Sequence, residues 1–207
     1  MSEAAIELDR PEIERFTIRD CIVTVLGVTP YSASRQPGEE KAPDETWDEY
    51  YNRVWKRMAH VDQHGEVFVP GSAFKLCLDE ATQNLNEKVP GKGHQTWTGI
   101  FRMGVAPISN MPLGIGLDDL RQEWVYCHAS GKRGPGTRVM RAFPMVDNWR
   151  GSITMRVFND SITQAKFEEF FGKAGLLAGV GRGRPSTGCP MGNGRFKPVE
   201  FRWSVVE

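Results

Sequence analysis

The sequence has no net charge, no close pair of cysteines and no long apolar run, and each absence removes a class of protein. Lys and Arg total 26 and so do Asp and Glu, which argues against a histone-like binder that works by bulk charge. The four cysteines, Cys21, Cys77, Cys127 and Cys189, form no CxxC pair. They lack the ligand spacing of a zinc site, and three of them sit in apolar segments, as buried free thiols do. His60 and His64 are spaced i, i+4 without an HExxH motif, so no metal is expected. No apolar run approaches the roughly 20 residues of a membrane span, and no membrane partner is expected. Residues 1–15 are acidic and polar, without the apolar centre of a signal peptide or an Arg-rich transit pattern; a cytoplasmic location is the expectation. There is no Gly-x-Ser-x-Gly elbow, no Gly-Lys-Ser/Thr of a P-loop, and no glycine fingerprint between a strand and a helix. No nucleotide cofactor is expected either.

What is present fits a globular chain. It has 207 residues, 40% apolar and 25% charged, enough for one domain with a full core. The charge is unevenly spread. Residues 1–50 carry 5 basic and 12 acidic side chains, residues 51–128 carry 8 of each, and residues 129–207 carry 13 basic and 6 acidic. A basic C-terminal part suggests an anionic partner, or neutralisation by the acidic part within or between molecules.

Residues 16–28 are β-branched and apolar and read as a central strand. Residues 29–43 hold three prolines and read as a mobile loop. A helix is expected over 44–60, capped by Asp44, with Trp47, Tyr50, Tyr51, Val54, Trp55 and Met58 on one face. Residues 66–69 read as a short strand. A helix over 72–87 follows, with Phe74, Cys77, Leu78, Ala81 and Leu85 inward. Residues 88–98 are a basic glycine-containing loop, 99–107 a strand, and 109–122 irregular. Residues 123–128 and 138–145 read as a long-looped hairpin. Residues 149–158 alternate as a half-buried strand. Ser161 and Gln164 suggest a capping box for a helix over 162–174 ended by Gly175. A last strand covers 195–206, with Val199, Phe201, Trp203 and Val205 on one side. The expected fold class is therefore α+β: a ferredoxin-like (RRM-like) βαββαβ core. It carries a helical insertion after strand 1 (about 29–65) and a β-hairpin insertion between strands 2 and 3 (about 109–147), in one domain spanning 1–207.

Three segments could carry chemistry. Between Gly179 and Gly194 lie six glycines, with Arg182, Arg184 and Arg195 in and beside them. Glycine permits close approach, arginine forks suit phosphate, and exposed amides can form an anion nest around Gly181. A flexible crossover with solvated arginines is the plainer alternative. Pro70-Gly71-Ser72 opens a helix whose N-terminus favours an anion, with Ser72 and Lys75 in reach of the same phosphate; a serine-capped helix is the alternative. The hairpin tip supplies Lys132, Arg133, Arg138 and Arg141. The 88–98 loop adds Lys92 and one ring for stacking, Trp97. His94 is the candidate for a general base, should RNA be cleaved.

Val69-Pro70-Gly71-Ser72-Ala73-Phe74-Lys75 resembles the helix start of the RAMP superfamily, the repeat-associated proteins of CRISPR systems. Ala174 to Phe196, with Gly179, Gly181, Arg182, Gly188, Gly192, Gly194 and Arg195, resembles that superfamily's C-terminal glycine-rich loop. Leu76 departs from the pattern, where glycine usually follows the lysine, and Cys189-Pro190-Met191 is extra. The resemblance implies either a backbone subunit coating a guide RNA or an endoribonuclease. Size and insertions look more like the former, and a phage or mobile-element relative could coat single-stranded DNA. The expected function is a non-catalytic binder of single-stranded nucleic acid, RNA favoured over DNA, assembling side by side as a homo-oligomer on the strand. A metal-independent endoribonuclease and a module binding an acidic partner are the alternatives.

Overall fold

A computed structural model describes residues 17–128, 137–189 and 191–206. Its centre is β1 (Arg19–Gly27). Along it Cys21, Val23 and Val25 are fully buried, while Leu26 on the alternate face is 40% exposed. That period of two is what a strand covered on one side requires. β1 lies between β8 (Arg150–Val157) and β9 (Phe196–Val205), and β8 also pairs with the short β4 (Val105–Pro107), in the order β4-β8-β1-β9. All three pairings are antiparallel. Val23 stands opposite Ile153 on one side and Phe201 on the other. A register shift at Thr24/Val25 interrupts the β1–β9 ladder. The expected single inward row on β9 is therefore broken at Val199, which is exposed while Phe196 is buried; Val205 keeps the register of Phe201 and Trp203 and is exposed at the strand's end.

Two helices cover one face of this sheet: α2 (Gly71–Leu85) and α4 (Gln164–Leu177). Phe74, Cys77, Leu78 and Ala81 of α2 meet Phe167, Phe170, Phe171 and Ala174 of α4 in the same buried cluster. Ring centroids lie 5.3 Å apart for Phe74–Phe196 and 5.6 Å for Phe171–Phe196. Each such side chain contributes about 1.5–3 kcal/mol by burial. Thr163, not Ser161, caps α4: its Oγ1 accepts from Lys166 N at 3.2 Å. Gly175 does not end the helix but lies within it, where a Cβ would come 2.3 Å from the Phe196 carbonyl oxygen. The left-handed stop is Gly179, at φ +70°.

The strand expected over 99–107 is mostly a helix, α3 (Trp97–Gly104), and only β4 is extended. Trp97, Ile100, Phe101 and Gly104 are its buried residues, spaced i, i+3, i+4, i+7. That single apolar face outweighs the β-preference of the Thr-Gly-Ile-Phe run.

The two insertions pack on each other. α1 (Trp47–Val54) continues as a 3₁₀ turn over Trp55–Met58. Thr46 caps it, with Glu49 completing the capping box, so Asp44 is not the cap. Its Tyr50, Tyr51 and Val54 are buried with Ala142. Ala142 lies on the hairpin of β6 (Arg121–His128) and β7 (Arg138–Val146). The 29–43 segment is not a free loop. It contains β2 (Tyr31–Ser32), paired with Val146 and Met145 of β7, and Tyr50 donates its hydroxyl to Glu39 O at 2.7 Å. β3 (Phe68–Val69) pairs with β5 (Met111–Pro112) beside the start of α2. Among the described residues no helix is long and apolar enough to cross a membrane.

Candidate nucleic-acid interface

The glycine-rich segment after α4 is laced to the β1–β2 connection. Val180 N donates to Gly194 O at 2.9 Å, Gly194 N to Pro30 O at 2.8 Å, and Arg182 N to Ser32 O at 2.8 Å. Thr29 Oγ1 accepts from Arg195 N and donates to Gly192 O, both at 2.9 Å. Two glycines are obligatory here. Gly181 (φ +80°) would set a Cβ 2.5 Å from Ser32 O, and Gly194 (φ +71°) would set one 1.7 Å from Val180 O. Trp149 anchors the other side of the connection, donating Nε1–H to Thr29 O at 2.8 Å. A flexible crossover is thus not what this sequence makes. The glycines let two backbones approach and exchange hydrogen bonds.

That folding sends the three arginines to three different elements. Arg182 lies over the Phe143 ring of β7, 3.6 Å from its centroid. Burial holds its guanidinium below the ordinary value. Arg184 turns to α2 and pairs with Glu80 at 2.7 Å, with Ser186 as a second partner. Burial raises the Glu80 carboxyl, but the bonds from Arg184 and Ser186 outweigh it and hold the group below its ordinary value. Arg195 donates Nη1–H to Leu176 O at the end of α4, at 2.8 Å, where a cation satisfies a terminal carbonyl.

At the start of α2, Pro70 is the N-cap and makes no side-chain cap bond. Ser72 is exposed on the first turn and is not a cap. Gly71 N donates instead to Asn110 Oδ1 at 3.0 Å. Lys75 points along the helix to Asp79 at 2.5 Å and to Phe101 O at 3.4 Å. It does not converge with Ser72 on the helix terminus.

A cleft of about 190 Å³ opens where the start of α2, the chain leaving β2 and the glycine-rich loop meet. Pro70, Ala73 and Leu76 line it from α2, Gly181 and Arg184 from the loop, and Ser34, Arg35 and His60 from the first insertion. The two segments read separately from the sequence therefore share one cavity. Arg35 and His60, absent from the sequence-based site, complete it. Arg35 N donates to Met58 O at 2.9 Å, and Phe68 N donates to His60 O at 3.0 Å, so both backbones are fixed. Burial, then the charge of Arg35, holds the His60 imidazole below its ordinary value.

The remaining candidates lie elsewhere. Trp97 is 6% exposed, with its ring 6.1 Å from Phe101 and 6.3 Å from Phe170; it is a core residue and has no face to offer a base. Lys92 and His94 are exposed on the 88–96 loop. Arg138 is exposed at the start of β7, and Arg141 lies 5.2 Å over the Tyr51 ring. Lys132 and Arg133 fall outside the described residues. The uncovered sheet face offers no aromatic ring along β1 or β8. Its ladder there is polar, with Asp20–Arg156 paired at 2.7 Å and Thr24 3.1 Å from Ser152. Cys21 and Cys77 are buried, and burial raises the Cys21 thiol to about 12. Among the described residues no three His, Cys, Asp or Glu side chains are grouped to hold a metal.

No protein-family model matches the chain, and no curated protein matches it by sequence. Solved structures do. A chain in the cryo-electron microscopy structure of the Type III-B Cmr-beta bound to cognate target RNA matches over 90% of this chain, at 11% identity and a TM-score of 0.50. This chain spans 61% of that one. Cmr6 from Pyrococcus furiosus matches over 89% of this chain and 100% of its own, at 14% identity and a TM-score of 0.48. At this level of identity the likeness is one of fold, which this chain shares with the Cmr-beta chain.

Proposed function

We propose that the chain is a non-catalytic binder of single-stranded nucleic acid, RNA in preference to DNA, that holds the sugar-phosphate backbone and assembles side by side along the strand. One observation carries the proposal. The start of α2 and the glycine-rich loop, far apart in sequence, meet in one cleft lined by Arg35, His60 and Arg184. A helix N-terminus beside cationic side chains suits phosphate. The fold likeness to a chain of a Cmr-beta structure that holds target RNA supports the same reading. We read the order β4-β8-β1-β9 with α2 and α4 as a ferredoxin-like core in one domain, with the two insertions facing neighbouring subunits. Contacts of this type read sequence little, and neither a metal nor a nucleotide is required.

Fluorescence anisotropy with labelled single-stranded RNA and DNA of equal length tests the proposal. Saturable binding is expected, tighter for RNA, weakening with salt by about 0.7 in log–log slope per phosphate contact, and unchanged by EDTA at equal ionic strength. Mass by light scattering should rise in whole-subunit steps as the strand lengthens. Absence of binding to either strand overturns the reading. Shortening of the RNA in EDTA would instead favour the endoribonuclease.

A further inference from the structure

Resting on that reading, we propose that the cleft is a single-phosphate seat in which Arg35 supplies the permanent charge and His60 a second charge that arrives as a proton when the phosphodiester binds. The strand is then held by a proton-linked contact, and acid strengthens it.

The geometry supports each part. Arg35 and His60 lie on the same cavity wall, and both are fixed through the backbone by partners outside the cavity. The cavity of about 190 Å³ has room for a phosphate group. Among the described residues no carboxylate pairs with Arg35. Arg184, the other guanidinium at the wall, is already committed to Glu80. An incoming anion therefore finds one unneutralised charge and one imidazole.

The titratable groups around His60 can be named element by element. The chain leaving β2 brings Arg35, β2 itself brings Tyr31, and the glycine-rich loop brings Arg184. Burial keeps the Tyr31 hydroxyl neutral. α2 brings Pro70, Ala73 and Leu76, and β3 packs the Phe68 ring 5.6 Å from the imidazole; none of these titrates. In the free protein the lining around His60 is apolar apart from Arg35 and the Arg184–Glu80 pair, and burial and the Arg35 charge hold the imidazole below its ordinary value. A bound phosphodiester reverses the sign of the nearest charge and favours the imidazolium. The phosphodiester carries its own charge throughout, so the proton must go to the protein. The sign follows: the bound state takes up a proton, and affinity rises as pH falls from about 8 towards 6.

The test uses the full chain and a labelled oligouridine RNA at constant ionic strength, with affinity measured across that pH range. The wild type should bind several-fold more tightly at the acid end. Calorimetry in two buffers of different ionisation heat should show fractional proton uptake near neutral pH. His60→Gln should lose the tightening at the acid end and lose the proton uptake. Arg35→Ala should weaken binding several-fold at every pH and flatten the salt slope by about 0.7, while Arg35→Lys restores most of both. His94→Gln should keep the whole pH profile. Thermal unfolding establishes that each variant is folded. If the strand binds but His60→Gln keeps the tightening and proton uptake, or Arg35→Ala leaves affinity and salt slope unchanged, the seat is overturned and the strand-binding reading stands. If the wild type binds no strand at any pH, both fall.

Discussion

Two loops of this protein have the same composition and opposite construction. Residues 88–96 and residues 179–194 are both basic and punctuated by glycines of positive φ. In the first, Gly91 and Gly93 have open space where a Cβ would go, Lys92 and His94 are exposed, and one bridge, Lys88–Thr96, closes the base. In the second, Gly181 and Gly194 are pressed against the backbone of Ser32 and Val180, its two arginines are held by Phe143 and Glu80, and Arg195 just beyond it is held by the end of α4. Glycine makes a turn in one loop and a backbone-to-backbone contact in the other. The second loop brings a helix terminus and a cation into one cavity.

The sharpest way to break this contrast is Trp97, the residue that closes the first loop. Trp97→Ala should cost about 3–5 kcal/mol in urea unfolding, because it empties the space against Phe101 and Phe170. Strand affinity of the folded protein should change less than twofold; a base-stacking role would instead cost about 1–3 kcal/mol of binding. Next is the glycine pair. Gly194→Ala should lose about 2–5 kcal/mol of stability, combining the left-handed backbone with a clash that has no room to relax. Gly91→Ala should lose only the backbone part, about 1–2 kcal/mol. Equal losses would erase the distinction between the loops.

A smaller effect tests how the second loop is tied to α2. The Glu80 carboxyl is held below its ordinary value by Arg184. A depressed carboxylate stabilises the fold above its unfolded-state value, and that contribution is lost as pH falls through its folded-state value. The exchange Glu80→Gln should remove about 1 kcal/mol near neutrality and almost nothing at strongly acid pH, measured by urea unfolding at each pH. A loss that does not depend on pH would mean that the pair contributes by packing alone. Smallest of all, Lys92→Ala with His94→Ala should shift strand affinity by about twofold at most, as solvated loop charges do.

Sequence reasoning reaches some of this and stops at identifiable places. β1, β8, α2 and α4 were legible because periodicity, residue type and end signals agree over whole elements, as in the alternation of Cys21, Val23 and Val25. α3 was misread because its eight residues are too few to separate a helical face from an apolar strand, and Trp97 was misplaced with it. The glycine-rich loop and the start of α2 were both visible as local patterns. Their shared cavity was not, since it depends on where β2 pairs with β7. Arg35 lies inside the proline-containing stretch 29–43 that reads as loop, and His60 stands at the end of the helix expected over 44–60; nothing local links them. Arg182 was legible as a cation but not as one resting on Phe143, because that contact depends on the hairpin folding back over the loop.

Amide hydrogen exchange with and without a saturating single-stranded RNA tests the central claim most directly. Protection should rise at residues 31–35, 71–73 and 180–184, which surround the cleft, and stay unchanged at residues 88–96 and along the uncovered face of β1 and β8. Protection confined to the 88–96 loop or that sheet face, with the cleft unaffected, would contradict the account.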